Sequence, residues 1–149
     1  MTLKEKIYDR CIQLVNDKIH LLQKTLADLK ESAANETKST AGDKHETALA
    51  MLQIEQENTG RQLQEVLLQK SLLLKIDSAL QTAVVVNGSL VETNKGFLFI
   101  SIALGKMVVD ETTVIALSPQ SPLGAKLMGS KVNDSAEING NKYVIGAIM

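Results

Sequence analysis

The chain has 149 residues, enough for one ordinary domain or for one small domain with an extended appendage. Its formal net charge is −1, with 11 Lys/Arg against 12 Asp/Glu in residues 1–77 and 5 against 5 in residues 78–149, so no basic surface is available to displace counterions from free DNA or RNA. Cys11 is the only cysteine and cannot form an internal disulfide, and there is no apolar run of signal-peptide type and none near the roughly 20 residues of a membrane span, which together point to a soluble cytoplasmic protein whose partner is another protein.

Tyr8, Ile12, Val15, Ile19, Leu22, Leu26, Leu29 and Ala33 follow one another at alternating steps of four and three, the seam of a helix packed lengthwise against another helix. The spacing predicts a first helix over 3–34. The stretch 32–46 then reads as a polar turn, with an acidic tip near 33–46 that carries Asp43 and Glu46. A second periodic segment over 43–77 places Leu49, Leu52, Leu63, Val66 and Leu73 on one seam, with Leu67 and Leu74 beside it. Gln56 and Thr59 also fall on that seam, and Gly60 weakens the middle by about 1 kcal/mol relative to alanine. Two such helices joined by a short turn fold back on each other, giving an antiparallel coiled-coil hairpin about 45 Å long.

From Ala83 onwards the period changes. Runs rich in β-branched residues (83–86, 89–91, 97–102, 114–117 and 143–145) alternate with Gly and Asn punctuation, and Asn94-Lys95-Gly96 and Asn139-Gly140-Asn141 are hairpin-turn signals. Three of the four aromatic residues, Phe97, Phe99 and Tyr143, lie here, so the compact core is expected in this half. Both prolines fall between Leu117 and Gly129. Ser121 can cap a short helix that has Pro122 at its first position, and Gly129 can end it. The expected architecture is α+β, with a coiled-coil hairpin over 1–77 and a small, mostly antiparallel β domain with one short helix over 78–149.

Asp43 and Glu46 admit two readings. Asp43 as N-cap with Glu46 at the third helical position is the capping-box pattern, which requires no function, and Thr40 with Asp43 is a competing cap one turn earlier. Alternatively the pair is half of a Mg²⁺ site. Two carboxylates cannot enclose an ion that takes six oxygens, but at the end of a long arm they can be delivered into the active site of a partner. His20 and His45 are too isolated for a zinc site, Cys11 flanks the helix seam, and no Gly-rich phosphate loop follows a strand.

Gly42-Asp43-Lys44-His45-Glu46-Thr47-Ala48, followed by Glu55-Gln56, resembles the tip and second helix of bacterial transcript cleavage factors of the GreA/GreB family. The stretch from Ile115 to Gly129, with Val132-Asn133-Asp134, Glu137-Ile138 and Tyr143-Val144-Ile145, resembles that family's C-terminal domain. The resemblance implies a C-terminal domain of FK506-binding-protein-like fold that docks on RNA polymerase at its secondary channel, with the hairpin entering the channel. It implies no enzyme activity or cofactor of the chain's own. Asp43 and Glu46 match the tip acids that help hold a Mg²⁺ shared with the polymerase, whose own active site cleaves backtracked RNA. Gln120, Ser121 and Pro122 match the loop that contacts the polymerase. Nascent RNA is then met only inside the complex, no membrane is involved, and the factor is expected to be a monomer.

The chain departs from the family pattern at Lys44, Thr47, Ala50 and Ile54, where a Leu, an Asn, an aromatic and a basic residue are usual. The alternative is therefore a non-catalytic channel regulator or coiled-coil scaffold. An FK506-binding-like fold also suggests prolyl isomerisation, but Phe97, Phe99 and Tyr143 are too few to line the aromatic pocket which that activity needs.

Overall fold

The four-three spacing from Tyr8 to Ala33 forms one long helix, α1, over Leu3–Thr37 in the computed structural model, which describes residues 1–37 and 43–149 and no side chain at 37 or 43–45. Thr2 caps α1, its Oγ1 accepting a hydrogen bond from the Glu5 amide at 3.1 Å. The helix runs past the expected end at 34, because Ala33, Ala34 and Glu36 are good helix formers and neither Gly nor Pro interrupts them. Helix α2 covers Asp43–Leu74. The polar turn expected over 32–46 is thus largely helical, and the rest of it, 38–42, lies outside the described residues. Neither helix is apolar enough over a sufficient length to cross a membrane.

The chain divides into two compact units, Gln13–Lys70 and a second made of Met1–Ile12 with Ser71–Met149. In the Gln13–Lys70 unit, Val15, Ile19 and Leu22 of α1 and Thr59 and Val66 of α2 are buried, and Gln56 Nε2 donates to the Leu29 carbonyl at 3.4 Å. In the other unit the Tyr8 hydroxyl donates to the Leu73 carbonyl at 3.0 Å. Partner numbers fall on α2 as they rise on α1, so the helices form an antiparallel hairpin. Every position of the α1 seam is buried or half-buried. Leu67 and Leu74, beside the α2 seam, are 39% and 62% exposed, because the buried stripe centred on Thr59, Val66 and Leu73 is narrow.

The remaining elements are β1 (Leu90–Thr93), β2 (Gly96–Ile100), β3 (Gly105–Val109), β4 (Thr112–Leu117), the short helix α3 (Pro122–Leu127), β5 (Ser135–Ile138) and β6 (Asn141–Ile148). Among the described residues the strands form a six-stranded sheet of order β3-β4-β2-β1-β6-β5. All pairings are antiparallel except β2 with β4, so the sheet is mixed. The fold is α+β: a long helical hairpin, a small mixed sheet and one short helix.

Strand register assigns the sheet two apolar faces. Met107 pairs with Val114 and Phe99 with Ala116, all buried, and Cys11 of α1 reaches this face with its Sγ 4.0 Å from Met107 Sδ. The opposite face carries Val91, Leu98, Ile100 and Leu117, which pack with Leu127 of α3 and with Ile145 and Ile148 of β6.

The run 83–86 does not form the strand its β-branched residues suggest. Val85 exchanges hydrogen bonds with the turn after α3, its amide donating to the Ser130 carbonyl and its carbonyl accepting from the Gly129 amide, and a turn over 86–89 begins at once. Two strands arise where none is expected. Strand β3 hides because the turn joining it to β4 is Asp110-Glu111, both at positive φ, where a two-residue hairpin usually has Asn or Gly. Strand β5 is short and half polar, and joins β6 through Asn139-Gly140, also both at positive φ.

Burial of Cys11 has a measurable consequence. It pushes the thiol up to about 12 from its ordinary 9.0. Thiol reagents at pH 8 should therefore modify native Cys11 only through opening, roughly 10³-fold or more slower than in the urea-unfolded chain. Because the folded value exceeds the unfolded one, the stabilising contribution is complete below pH 9.0 and is lost as pH rises towards 12. A native rate equal to the unfolded rate contradicts this burial.

Candidate functional site

The chemistry-bearing residues singled out by sequence fall in two places. The first is the start of α2. Asp43 is its opening residue, and Glu46, three positions on, is exposed in its first turn, where the positive end of the helix dipole favours a carboxylate. The side chain of Asp43 lies outside the described residues, as does that of His45. His20 is exposed on α1. Among the described residues no group of three or more His, Cys, Asp or Glu side chains stands together.

The second place is the loop that leads from β4 into α3, and it is built by a closed set of hydrogen bonds. Ser121 is the N-cap: its Oγ accepts from the Gly124 amide at 3.1 Å and donates to the Ser118 carbonyl at 2.6 Å. That carbonyl also accepts from the Ser121 amide at 3.0 Å. Ser118 Oγ accepts from the Gln120 amide at 3.1 Å and donates to Gln120 Oε1 at 2.6 Å. Pro122 sits at the first helical position, where its fixed φ is already helical. Gly129, at φ +80°, follows the Met128 C-cap as the expected terminator.

Gly124 permits this arrangement. A Cβ there would stand 2.1 Å from the Ser118 carbonyl oxygen, so only glycine lets the loop close onto the helix. The result is a hydrogen-bonded loop with Gln120 and Pro122 exposed. The Ser121 hydroxyl is engaged within the loop both as donor and as acceptor.

Lys4 is a residue that sequence reasoning passes over. It is 7% exposed, and its Nζ donates to the Leu80 carbonyl at 2.5 Å beside a cavity of about 270 Å³ bordered by Thr2, Glu5, Ser78 and Met149. Desolvation lowers its pKa, partly offset by the Asp77 carboxylate. The signal was available, since Lys4 precedes the buried Ile7 and Cys11 at helical spacing. On the same unit, Lys6 pairs with Asp110 of the β3–β4 turn at 2.6 Å, an exposed contact of small energetic weight.

No protein-family model matches the chain. No curated protein matches it either. A solved structure described as "Structure of the transcription factor Gfh1" is 18% identical to it, covering 95% of this chain and 92% of that chain at a TM-score of 0.31. So distant a likeness bears on neither function nor partner.

Proposed function

We propose that this chain is a transcription elongation factor of the transcript-cleavage type, an accessory to RNA polymerase rather than an enzyme of its own. Its hairpin enters the polymerase's secondary channel, in the cytoplasm, and the loop bearing Gln120, Ser121 and Pro122 docks on the polymerase. The observation that carries the reading is the placement of Asp43 as the first residue of α2 with Glu46 exposed one turn later, at the end of the hairpin nearest its connection. The resemblance of the tip and of the Ser-Pro loop to the GreA/GreB family supports the same reading.

Carboxylate oxygens are the hard donors that Mg²⁺ takes, and two of them leave most of its octahedral shell to the polymerase and to water. The ion supplies an activated water for phosphodiester cleavage when bound in that shared site. Asp43 and Glu46 contribute negative charge and orientation. The hydrogen-bonded loop contributes a docking surface whose shape is set before binding, which limits the ordering cost of association.

Binding comes first in the order of tests. The full chain should be retained by immobilised bacterial core RNA polymerase, and Gln120→Ala should weaken retention by roughly tenfold, the loss of one good interfacial contact. No retention at all removes the polymerase reading and leaves the scaffold alternative. Retention of a chain without cleavage activity supports a non-catalytic channel regulator, the reading favoured by Lys44, Thr47, Ala50 and Ile54 at positions where the family differs.

A further inference from the structure

Helix α2 carries a second seam. Opposite its buried stripe, Met51 and Ile54 near one end and Leu68 and Leu72 near the other are 63%, 57%, 61% and 39% exposed. Between them, at the same alternating steps of three and four, stand the exposed Asn58, Arg61 and Glu65. Seven successive positions on the solvent side of one helix thus obey the heptad spacing that packs against another helix. On α1, by contrast, Leu21 is, among the described residues, the only large hydrophobic residue that is well exposed.

We propose that this face is a self-association surface on which α2 of a second copy of the chain packs antiparallel. The order of side chains decides the occupant. Read from either end the seam is apolar, apolar, polar, and its centre is Arg61. An antiparallel second copy sets Met51 against Leu72, Ile54 against Leu68, Asn58 against Glu65 and Arg61 against Arg61, with each Arg61 flanked by its own Glu65 and by the Glu65 of the second copy. Apolar layers meet apolar layers, and the two arginines and two glutamates at the centre sum to zero charge. Arg61 meets Arg61 in either orientation, but a parallel pairing adds a layer of Glu65 on Glu65, which like-charge repulsion opposes, where the antiparallel one sets each Glu65 against a neutral Asn58. The Arg61 guanidinium already turns along this face to donate to Asn58 Oδ1. Polar residues inside a seam fix register and orientation at some expense of affinity, so a dimer that dissociates on dilution is expected. The proposal departs from the monomer expected of the sequence, where only the inner seam of α2 is read.

Sedimentation equilibrium of the full chain tests it. The expected result is about twice the mass of one chain at high concentration, falling to one on dilution. Ile54→Glu with Leu68→Glu should be a single chain at every concentration while its helical circular dichroism is unchanged. Orientation is read by cross-linking with copper–phenanthroline as oxidant: Arg61→Cys, at the two-fold centre, should form a disulfide-linked dimer, and Met51→Cys, which faces Leu72, should not. Cys11, fully buried, remains a silent background thiol. A single-chain mass at every concentration of the unaltered protein overturns the proposal. So does a dimer that survives the double glutamate substitution, or cross-linking of Met51→Cys as ready as that of Arg61→Cys.

Discussion

Replacing Gly124 with alanine is expected to destabilise the protein by about 3 kcal/mol, the upper range for forcing an extra carbon into a packed site. The added Cβ meets the Ser118 carbonyl oxygen at 2.1 Å, and backbone rather than a mobile side chain must give way. Moving that carbonyl breaks the bonds it accepts from the Ser121 amide and hydroxyl, and the cap of α3 goes with them. Leu127, fully buried on α3, is then drawn out of its contacts with the sheet. A fall in thermal midpoint of roughly 6–12 °C follows for a chain of this size. Differential scanning calorimetry measures it, and a change of under about 0.5 kcal/mol, the size of an ordinary surface substitution, shows that the close approach does not exist.

The second large effect is functional. In stalled RNA polymerase complexes the chain should accelerate release of short 3′ RNA fragments, and Asp43→Asn should reduce that acceleration by about 10²-fold, the usual loss when one preorganised charge at a reacting centre is removed. Asparagine caps a helix about as well as aspartate, so helicity and polymerase retention should be unchanged. Glu46→Gln, in the exposed first turn of α2, should act in the same direction. Undiminished cleavage by Asp43→Asn returns the pair to a purely local role as helix cap.

The hairpin was legible in the sequence because a helix seam repeats, and eight positions of α1 all testify to one face. Helix α2 was harder. Apolar residues lie on two of its sides, and spacing alone does not say how far Leu67 and Leu74, beside the inner seam, are open to solvent; they are 39% and 62% exposed. In the sheet, β-branched content found β2 and β4 but named 83–86 a strand, because propensity reports a fit to a pleated surface and cannot say whether a neighbouring strand is present to pair with Val85. Strand β3 escaped since its turn, Asp110-Glu111, carries no glycine. The loop from Ser118 to Pro122 was the most legible part of the candidate site, because capping chemistry is local: a serine, a proline and a glycine at fixed offsets specify it. Lys4 was the least legible, since a lysine is presumed to face solvent until the surface it packs on is known.

The sheet-bearing unit is discontinuous in sequence: Met1–Ile12 returns to a body otherwise built from Ser71–Met149. Its completion must await chain segments separated by the entire Gln13–Lys70 stretch, whose own contacts link one helix to the next and need no such wait. Helical pieces form within microseconds, whereas long-range closure of a mixed sheet is slow. The chain's single thiol sits in the returning segment, 4.0 Å from the Met107 sulfur. Pulse labelling of Cys11 during refolding should therefore time the moment when the two ends of this discontinuous unit meet.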